Sequence, residues 1–256
     1  MWMPPRNRLL LPHHWDERLV AAWSPGIQGA GGLVLRDQSG NGHHGTLVGG
    51  PAWKDQSLSS SNAGYVDCGN SGRLNNWVEQ TITAWIKYDG LDDPYPRVIE
   101  KGLNNEWTLT FNTGQSSGNI LTVQYGDATP NLFSTTNFND GQWHHAAVTI
   151  DIDEFVSLYV DGELQDSLGM AAYSPAKTGV VYIGGNAGAG ITTFNGLLDD
   201  IRLYCAALPH SEIAELWNGG ERNAAYGIRR RRTVAPRAVT AAGLLPITQA
   251  YMRTRC

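Results

Sequence analysis

The sequence predicts an all-β protein built as a two-sheet antiparallel sandwich or jelly roll. Between about residues 63 and 204, short segments of alternating apolar and polar residues follow one another, separated by Gly, Asn, Asp and Pro. Helical periodicity is almost absent there, which argues against a parallel α/β sheet with crossover helices. The 256 residues, 41% of them hydrophobic, are enough for one large domain or two small ones with a proper core.

Three segments are the clearest individual strands. They are rich in β-branched and aromatic residues, which fit a half-buried pleated surface, and they cover residues 81–87, 107–111 and 120–125. The clearest hairpin joins residues 155–160 to residues 163–165 through Asp161-Gly162, a dipeptide that supplies the positive φ angles of a type I′ turn. Strand alternation predicts that its inward residues are Val156, Leu158 and Val160.

One helix is expected near the end of the sandwich, over residues 210–218. Ile213, Leu216 and Trp217 would share its apolar face, and the Gly219-Gly220 pair would form its left-handed C-terminal cap. We expect this helix to close the domain.

Charge divides the chain into an acidic body and a basic tail. Residues 1–220 carry 11 Lys and Arg against 23 Asp and Glu, whereas residues 221–256 carry 8 Arg against one Glu. The tail contains Arg229, Arg230, Arg231 and Arg232 in a row and no amphipathic pattern long enough to bury itself. We therefore expect three parts: an N-terminal arm (1–18), a β-sandwich domain (19–220) and a basic extended C-terminal arm (221–256).

Hydropathy excludes a transmembrane helix, because no apolar run approaches the roughly 18 residues that such a helix requires. The first 15 residues hold only three consecutive leucines, fewer than a secretory signal needs. We expect synthesis in the cytoplasm without a signal peptide.

A calcium site is one interpretation of the loop 37–47. It combines Asp37, Ser39 and Asn41 with several glycines, and Ca²⁺ takes six to eight oxygen ligands from side chains and carbonyls. Strand parity places Asp199 on the apolar face of residues 197–203, where a buried carboxylate needs a cation or several hydrogen bonds. We therefore expect a structural Ca²⁺ held by Asp37, Asn41 and Asp199. The alternatives are a turn closed by side-chain hydrogen bonds and a backbone hydrogen-bond role for Asp199.

A series of motifs in fixed order resembles the laminin G-like jelly-roll domain of the concanavalin A-like superfamily. The resemblance spans roughly residues 19–218 and rests on residues 37–47, 65–67, 81–87, 141–145, 158–162, 183–185 and 195–204 with the following helix. It implies two packed antiparallel sheets, often a calcium site near the rim, and roles in glycan or protein binding. Pro209 departs from the family pattern, which usually has a capping Ser there.

The termini resemble proteins encoded among phage and prophage structural genes. This likeness rests on residues 5–12, on residues 14–20 and on the Arg-rich tail after the laminin G-like body. It implies a virion protein assembled in the host cytoplasm, with arms that bind copies of the chain or a capsid protein. We expect the arginines to meet an acidic protein surface and not nucleic acid, because no aromatic residues interleave with them.

A glycosidase is the least favoured hypothesis, because the Glu-x-Asp-x-x-Glu strand of the glucanases in this superfamily is absent. Trp77, Trp107 and Tyr125 could form a platform for sugar stacking, with core packing as the alternative. The sequence thus predicts a non-enzymatic binding protein. A capsid decoration protein is the first hypothesis, and a calcium-dependent lectin for cell-surface glycans, secreted or displayed, is the second.

Overall fold

The computed structural model describes twelve segments of the chain: residues 16–28, 31–54, 57–59, 64–75, 77–90, 95–102, 106–112, 120–125, 131–151, 155–169, 178–187 and 193–219. These residues form a sandwich of two antiparallel sheets with a short C-terminal helix, which confirms the predicted fold class. The arginine run 229–232 and the motif at residues 5–12 lie outside the described residues.

The first sheet takes its strands from many parts of the chain. They are β1 (Leu19–Trp23), β4 (Ala52–Lys54), β5 (Ser57–Ser59), β7 (Gln80–Tyr88), β12 (His144–Ile150), β13 (Phe155–Val160), β14 (Glu163–Gly169) and β16 (Gly196–Tyr204). Their order is β14-β13-β12-β7-β16-β5-β4, and β1 pairs with β16 beside β5.

The second sheet has the order β11-β10-β9-β8-β15-β6-β3-β2. Its strands are β2 (Val34–Leu35), β3 (Gly45–Val48), β6 (Tyr65–Asp67), β8 (Arg97–Lys101), β9 (Trp107–Asn112), β10 (Ile120–Tyr125), β11 (Leu132–Phe133) and β15 (Val181–Ile183). The described helices are α1 (Pro25–Gln28), a 3-10 turn at Gly72–Leu74 and α2 (His210–Gly219). None of these is long and apolar enough to cross a membrane.

Alternate residues of each strand fill the core between the sheets. On β9 the core residues are Trp107, Leu109 and Phe111, and their cross-strand partners on β10 are Tyr125, Val123 and Leu121. Phe111 also stacks on Tyr88 of the first sheet with ring centroids 4.1 Å apart. The polar residues between them therefore lie on the outer face of the second sheet.

Helix α2 covers part of the outer face of the first sheet. Its Ile213 and Leu216 are buried in a second apolar cluster with Leu19, Ala22, Ala147, Tyr159, Tyr204 and Leu208. The carbonyl of Pro209 accepts hydrogen bonds from the N–H groups of Glu212 and Ile213, so the helix begins without a serine cap. The predicted helix is confirmed, with Ile213 and Leu216 of its predicted apolar face buried. It ends at Gly219, which the sequence predicts as part of the cap, and Gly220 lies outside the described residues.

The hairpin between β13 and β14 is also confirmed. Asp161 has a φ of 52° and Gly162 a φ of 83°, as a type I′ turn requires. A Cβ atom at Gly162 would lie 3.1 Å from the Trp217 ring, so glycine here also allows α2 to pack closely against the turn.

Candidate functional site

The Asp37 loop is closed by hydrogen bonds within the protein. Oδ1 of Asp37 accepts from the N–H groups of Ala22 and Ser39, both at 2.9 Å. Oδ2 accepts from the Ser39 hydroxyl at 2.8 Å and from the N–H of His43 at 2.9 Å. Four donors thus surround this carboxylate, which is the pattern of a turn closed by its own side chain.

Asn41 holds the same loop against strand β1. Its Nδ2 donates to the carbonyls of Leu19 and Val20 at 3.1 and 2.8 Å, and its Oδ1 accepts from Arg73 at 3.1 Å. The structure therefore brings Asp37 and Asn41 together around the Ser39 hydroxyl, which bonds to both side chains.

Asp199 lies on a different face from the one that parity predicts. A bulge interrupts the pairing of β16 with β7 between Asp199 and Arg202, and Asp200 takes a φ of 45°. The inter-sheet core consequently receives Leu198, Ile201 and Leu203. The prediction that Leu197 and Asp199 share this core face is wrong, because the extra residue shifts the alternation.

Asp199 is fully buried opposite Trp85, and its Oδ1 accepts the N–H of Asp200 at 2.7 Å. The neighbouring Asp200 carboxylate accepts hydrogen bonds from Nε and Nη2 of Arg202, at 2.7 and 2.8 Å. Within the described segments, no group of three or more His, Cys, Asp or Glu side chains could hold a metal ion. Calcium at Asp37, Asn41 and Asp199 stays a prediction.

The three rings proposed for sugar stacking are core residues. Trp77, Trp107 and Tyr125 are only 7%, 3% and 1% exposed, and all three belong to the inter-sheet cluster. A sugar can stack only on an accessible ring face. These three residues therefore pack in the core, as the alternative interpretation predicted, and do not form a platform for sugar stacking.

The outer face of the second sheet carries a row of polar side chains that we call the polar row. Cross-strand register aligns one residue from each of five adjacent strands: Gln124 (β10), Thr108 (β9), Glu100 (β8), Tyr182 (β15) and Asp67 (β6). The row is buried at its centre, whereas Gln124 and Asp67 at its ends are partly exposed. Arg97, Thr110 and Thr122 lie beside it in register.

Glu100 is the central charge of the polar row and has no exposed surface. Its Oε2 lies 3.3 Å from Nε of Arg97 and accepts from Nδ2 of Asn186 at 3.3 Å. Burial raises the pKa of the Glu100 carboxyl, although Arg97 and Asn186 act in the opposite direction. Arg97 also reaches Oε1 of Gln124 through Nη1, at 3.4 Å.

The tyrosine of the polar row has an aromatic neighbour. The ring of Tyr182 meets that of Tyr65 edge to face, with centroids 5.5 Å apart. The face thus combines a carboxylate, a guanidinium, hydroxyl groups, amides and two phenol rings. Together these groups can both donate hydrogen bonds to a polyhydroxylated ligand and accept hydrogen bonds from it.

Comparison with known proteins agrees with this architecture. Residues 60–214 match the family described as the concanavalin A-like lectin/glucanases superfamily. The chain belongs to this superfamily. Among curated proteins, it is 27% identical over 150 residues to the adhesion G-protein coupled receptor V1 of Danio rerio, a match that spans 54% of this chain and 2% of the receptor.

Solved structures share the sandwich with this chain at low sequence identity. The binding domain of Paraclostridial Mosquitocidal Protein 1 is 17% identical with a TM-score of 0.61, over 79% of this chain and 52% of that one. Domain 4 of a GH43 arabinanase from Geobacillus stearothermophilus, solved in complex with arabinotriose, is 19% identical with a TM-score of 0.57. That match covers 78% of this chain and 98% of the arabinanase domain. At such identities the likeness shows the fold alone.

Sequence reasoning did not identify the polar row. The alternation of threonines with apolar residues in 107–111 and 120–125 was the available signal, because it places Thr108, Thr110 and Thr122 on one face. Strand pairing, which brings Glu100 beside Thr108, is not visible in a single sequence.

Proposed function

We propose that this chain is a non-enzymatic carbohydrate-binding module whose ligand contacts the partly exposed residues of the polar row, Gln124 and Asp67. The observation that carries the proposal is the row itself, in which hydrogen-bonding side chains from five strands face away from the core. Protein surfaces that recognise sugars need donors and acceptors held in fixed positions, and a sheet supplies that rigidity. Superfamily membership and the arabinotriose complex of the arabinanase domain support the assignment.

The spacing of the carboxylates in the row does not fit a retaining glycosidase. Glu100 and Asp67 lie on strands separated by β15, which puts their backbones about 9.6 Å apart at two strand spacings. A retaining glycosidase needs its two carboxyl groups about 5 Å apart. Asp67 also accepts the N–H of Gly69 at 2.8 Å, which ties it to the adjoining turn.

A glycan array probed with the full chain tests this function. We expect a defined set of glycans to bind, and Gln124→Ala to weaken binding several-fold because Gln124 is a partly exposed end of the row. Gln38→Ala is the matched control, since Gln38 belongs to the Asp37 loop. A blank array, or equal loss with both variants, would contradict the proposal, and release of free sugar would contradict its non-enzymatic part.

A second proposal concerns the setting in which the module works. We propose that it is a virion surface protein, a capsid decoration or head-associated component, whose arms bind its own copies or a capsid protein. The charge asymmetry between the acidic body and the basic tail supports this, together with the likeness of the termini to phage structural proteins. The alternative is a secreted or cell-surface lectin.

Light scattering coupled to size-exclusion chromatography tests the arm mechanism. The full chain is compared with residues 1–220 at low and high salt. Assembly of the full chain alone, weakened by salt, would support an arm that meets an acidic surface. Equal behaviour of both chains, with equal binding to capsid particles, would show that the arm does not mediate assembly.

A further inference from the structure

Cys205, directly after strand β16, is joined to another cysteine by a disulfide. The chain contains three cysteines, Cys68, Cys205 and Cys256. Cys68 is free and belongs to the inter-sheet core, with 5% of its surface exposed. Elimination therefore leaves Cys256, the last residue of the chain, as the partner of Cys205. Cys256 itself lies outside the described residues.

The two cysteines in the described part of the chain differ in their access to oxidants. Burial raises the pKa of the Cys68 thiol well above its usual value, and the core packs closely around its sulfur. Cys205 is partly exposed, so a reagent in solution can reach it. Its Sγ lies 3.3 Å from the carbonyl oxygen of Arg18, which can accept from the thiol of the reduced form. Oxidation is thus directed to Cys205 and away from Cys68.

Cys205 is a fixed point on the sandwich. Its N–H donates to the carbonyl of Arg18 on the neighbouring chain segment at 2.9 Å. The next carbonyl, that of Ala206, accepts from the Thr81 hydroxyl at 2.6 Å. Nη2 of Arg18 in turn lies 2.7 Å from Oε2 of Glu212 on α2. A disulfide at Cys205 therefore attaches its partner to a rigid part of the domain, beside the beginning of α2.

The basic arm leaves the sandwich close to the same place. Helix α2 ends at Gly219, and its 10 residues span only about 15 Å. About 37 residues connect Gly219 to Cys256, and their fully extended length is about 120–130 Å. When both ends are held near α2, the chain must turn back, so no part of it can extend further than about half that length. The disulfide thus keeps the arm and its arginine run near the acidic body.

We propose that Cys205 and Cys256 form an intrachain disulfide that fastens the end of the basic arm to the sandwich and limits how far the arm extends. Disulfides persist on virion surfaces and outside cells and are rare in the cytosol. The bond accordingly forms once the protein has left the cytoplasm. This inference does not depend on carbohydrate binding, and both settings proposed above, the virion and the cell surface, are oxidising.

A small-molecule disulfide, such as glutathione disulfide, is a sufficient oxidant. The Cys256 thiolate attacks one sulfur of this oxidant, which forms a mixed disulfide and releases one glutathione thiolate. The Cys205 thiolate then attacks the sulfur of Cys256 and displaces the second glutathione. The two protein thiols give up two protons and two electrons in total, and the oxidant leaves as two molecules of reduced glutathione.

Peptide mapping without reduction tests the identity of the partner. The full chain is treated with glutathione disulfide, its remaining thiols are blocked with N-ethylmaleimide in denaturant, and it is digested with trypsin. We expect a peptide of residues 203–222 linked to the C-terminal residues, and maleimide on Cys68 alone. Maleimide on Cys205, a bond from Cys205 to Cys68, or a dimer linked through Cys205 on a non-reducing gel would overturn the assignment.

Small-angle X-ray scattering tests the effect of the bond on the arm. The oxidised full chain is compared with Cys256→Ser in high salt, which weakens contacts between the arm and acidic surfaces. The largest dimension of Cys256→Ser should be greater by about 15 Å, roughly half the root-mean-square span of a flexible chain of this length.

Dithiothreitol provides the matched control for this comparison. It should extend the oxidised parent chain by the same amount and leave Cys256→Ser unchanged. Equal dimensions of the oxidised parent and Cys256→Ser would overturn the proposal that the disulfide limits the arm, even where peptide mapping finds the bond.

Discussion

His144 forms a proton-dependent bridge between two loops, and its removal should destabilise the protein most at low pH. Nδ1 of His144 lies 2.7 Å from Oδ2 of Asp161, in the β13–β14 turn, and Nε2 lies 3.2 Å from both oxygens of Asp140. Only the imidazolium can donate to both carboxylates at once. Burial lowers the pKa of His144, but the hydrogen bonds and charges of Asp161 and Asp140 outweigh it and raise that pKa above 6.5.

The direction of the pH effect follows from this shift. A histidine whose pKa is higher in the folded state binds its proton more tightly when folded. Its stabilising contribution is fully present below the unfolded-state pKa of about 6.5 and is lost as the pH rises through the folded-state pKa. Replacing His144 with Gln should remove this contribution and its pH dependence.

The size of the effect can be worked out from the geometry. A hydrogen bond to a charged group contributes about 1.5–3 kcal/mol, and Asp161 is one-third exposed, so we take a value near the lower limit. Asp140 is 46% exposed, and its longer contact adds well under 1 kcal/mol. The total is about 2 kcal/mol, or about 4–8 °C in melting temperature for a domain of this size.

Thermal melts of the full chain and of His144→Gln, followed by circular dichroism from pH 5.5 to 8.5, measure this difference. We expect the melting temperature of His144→Gln to lie about 4–8 °C below that of the parent protein at pH 5.5, and this difference to narrow by half or more at pH 8.5. Asp140→Asn, which leaves the Asp161 contact in place, should show a smaller gap of the same sign. A gap that is independent of pH, or that widens with rising pH, would refute the reasoning.

Three further predictions concern the hairpin, the bulge and the calcium hypothesis. Gly162→Ala should lower stability by more than about 1 kcal/mol in urea titrations, because φ is positive and the Cβ would press on Trp217; unchanged stability would contradict the close packing. Arg202→Ala should cost about 3–5 kcal/mol, since it leaves the buried Asp200 carboxylate without its bidentate partner, and a loss below 1 kcal/mol would show that the pair is not essential. If Asp199 binds Ca²⁺, EDTA should lower the melting temperature of the parent protein but not of Asp199→Asn; no shift in the parent on chelation would dismiss the site.

The sequence was informative wherever a local rule determines the structure. Alternation correctly assigned Val156, Leu158 and Val160 to the core, and Asp161-Gly162 determined the turn type because few other dipeptides accept two positive φ angles. It failed at residues 199–202, where a bulge that depends on pairing with β7 reverses the alternation. A non-glycine residue at positive φ, such as Asp200, leaves no reliable signal in one sequence.

His144 and His145 show what strand alternation predicts and what it does not. Alternation places His144 and His145 on opposite faces of β12. Their cross-strand partners on β7 are Ile86 for His144 and Trp85 for His145. Alternation does not predict that both are buried, nor that burial lowers the pKa of His145 to about 4 while two carboxylates raise that of its neighbour. The titration of His145 therefore lowers the stability of the protein as the pH falls from 6.5 towards 4. This pH dependence is opposite in sign to that of His144.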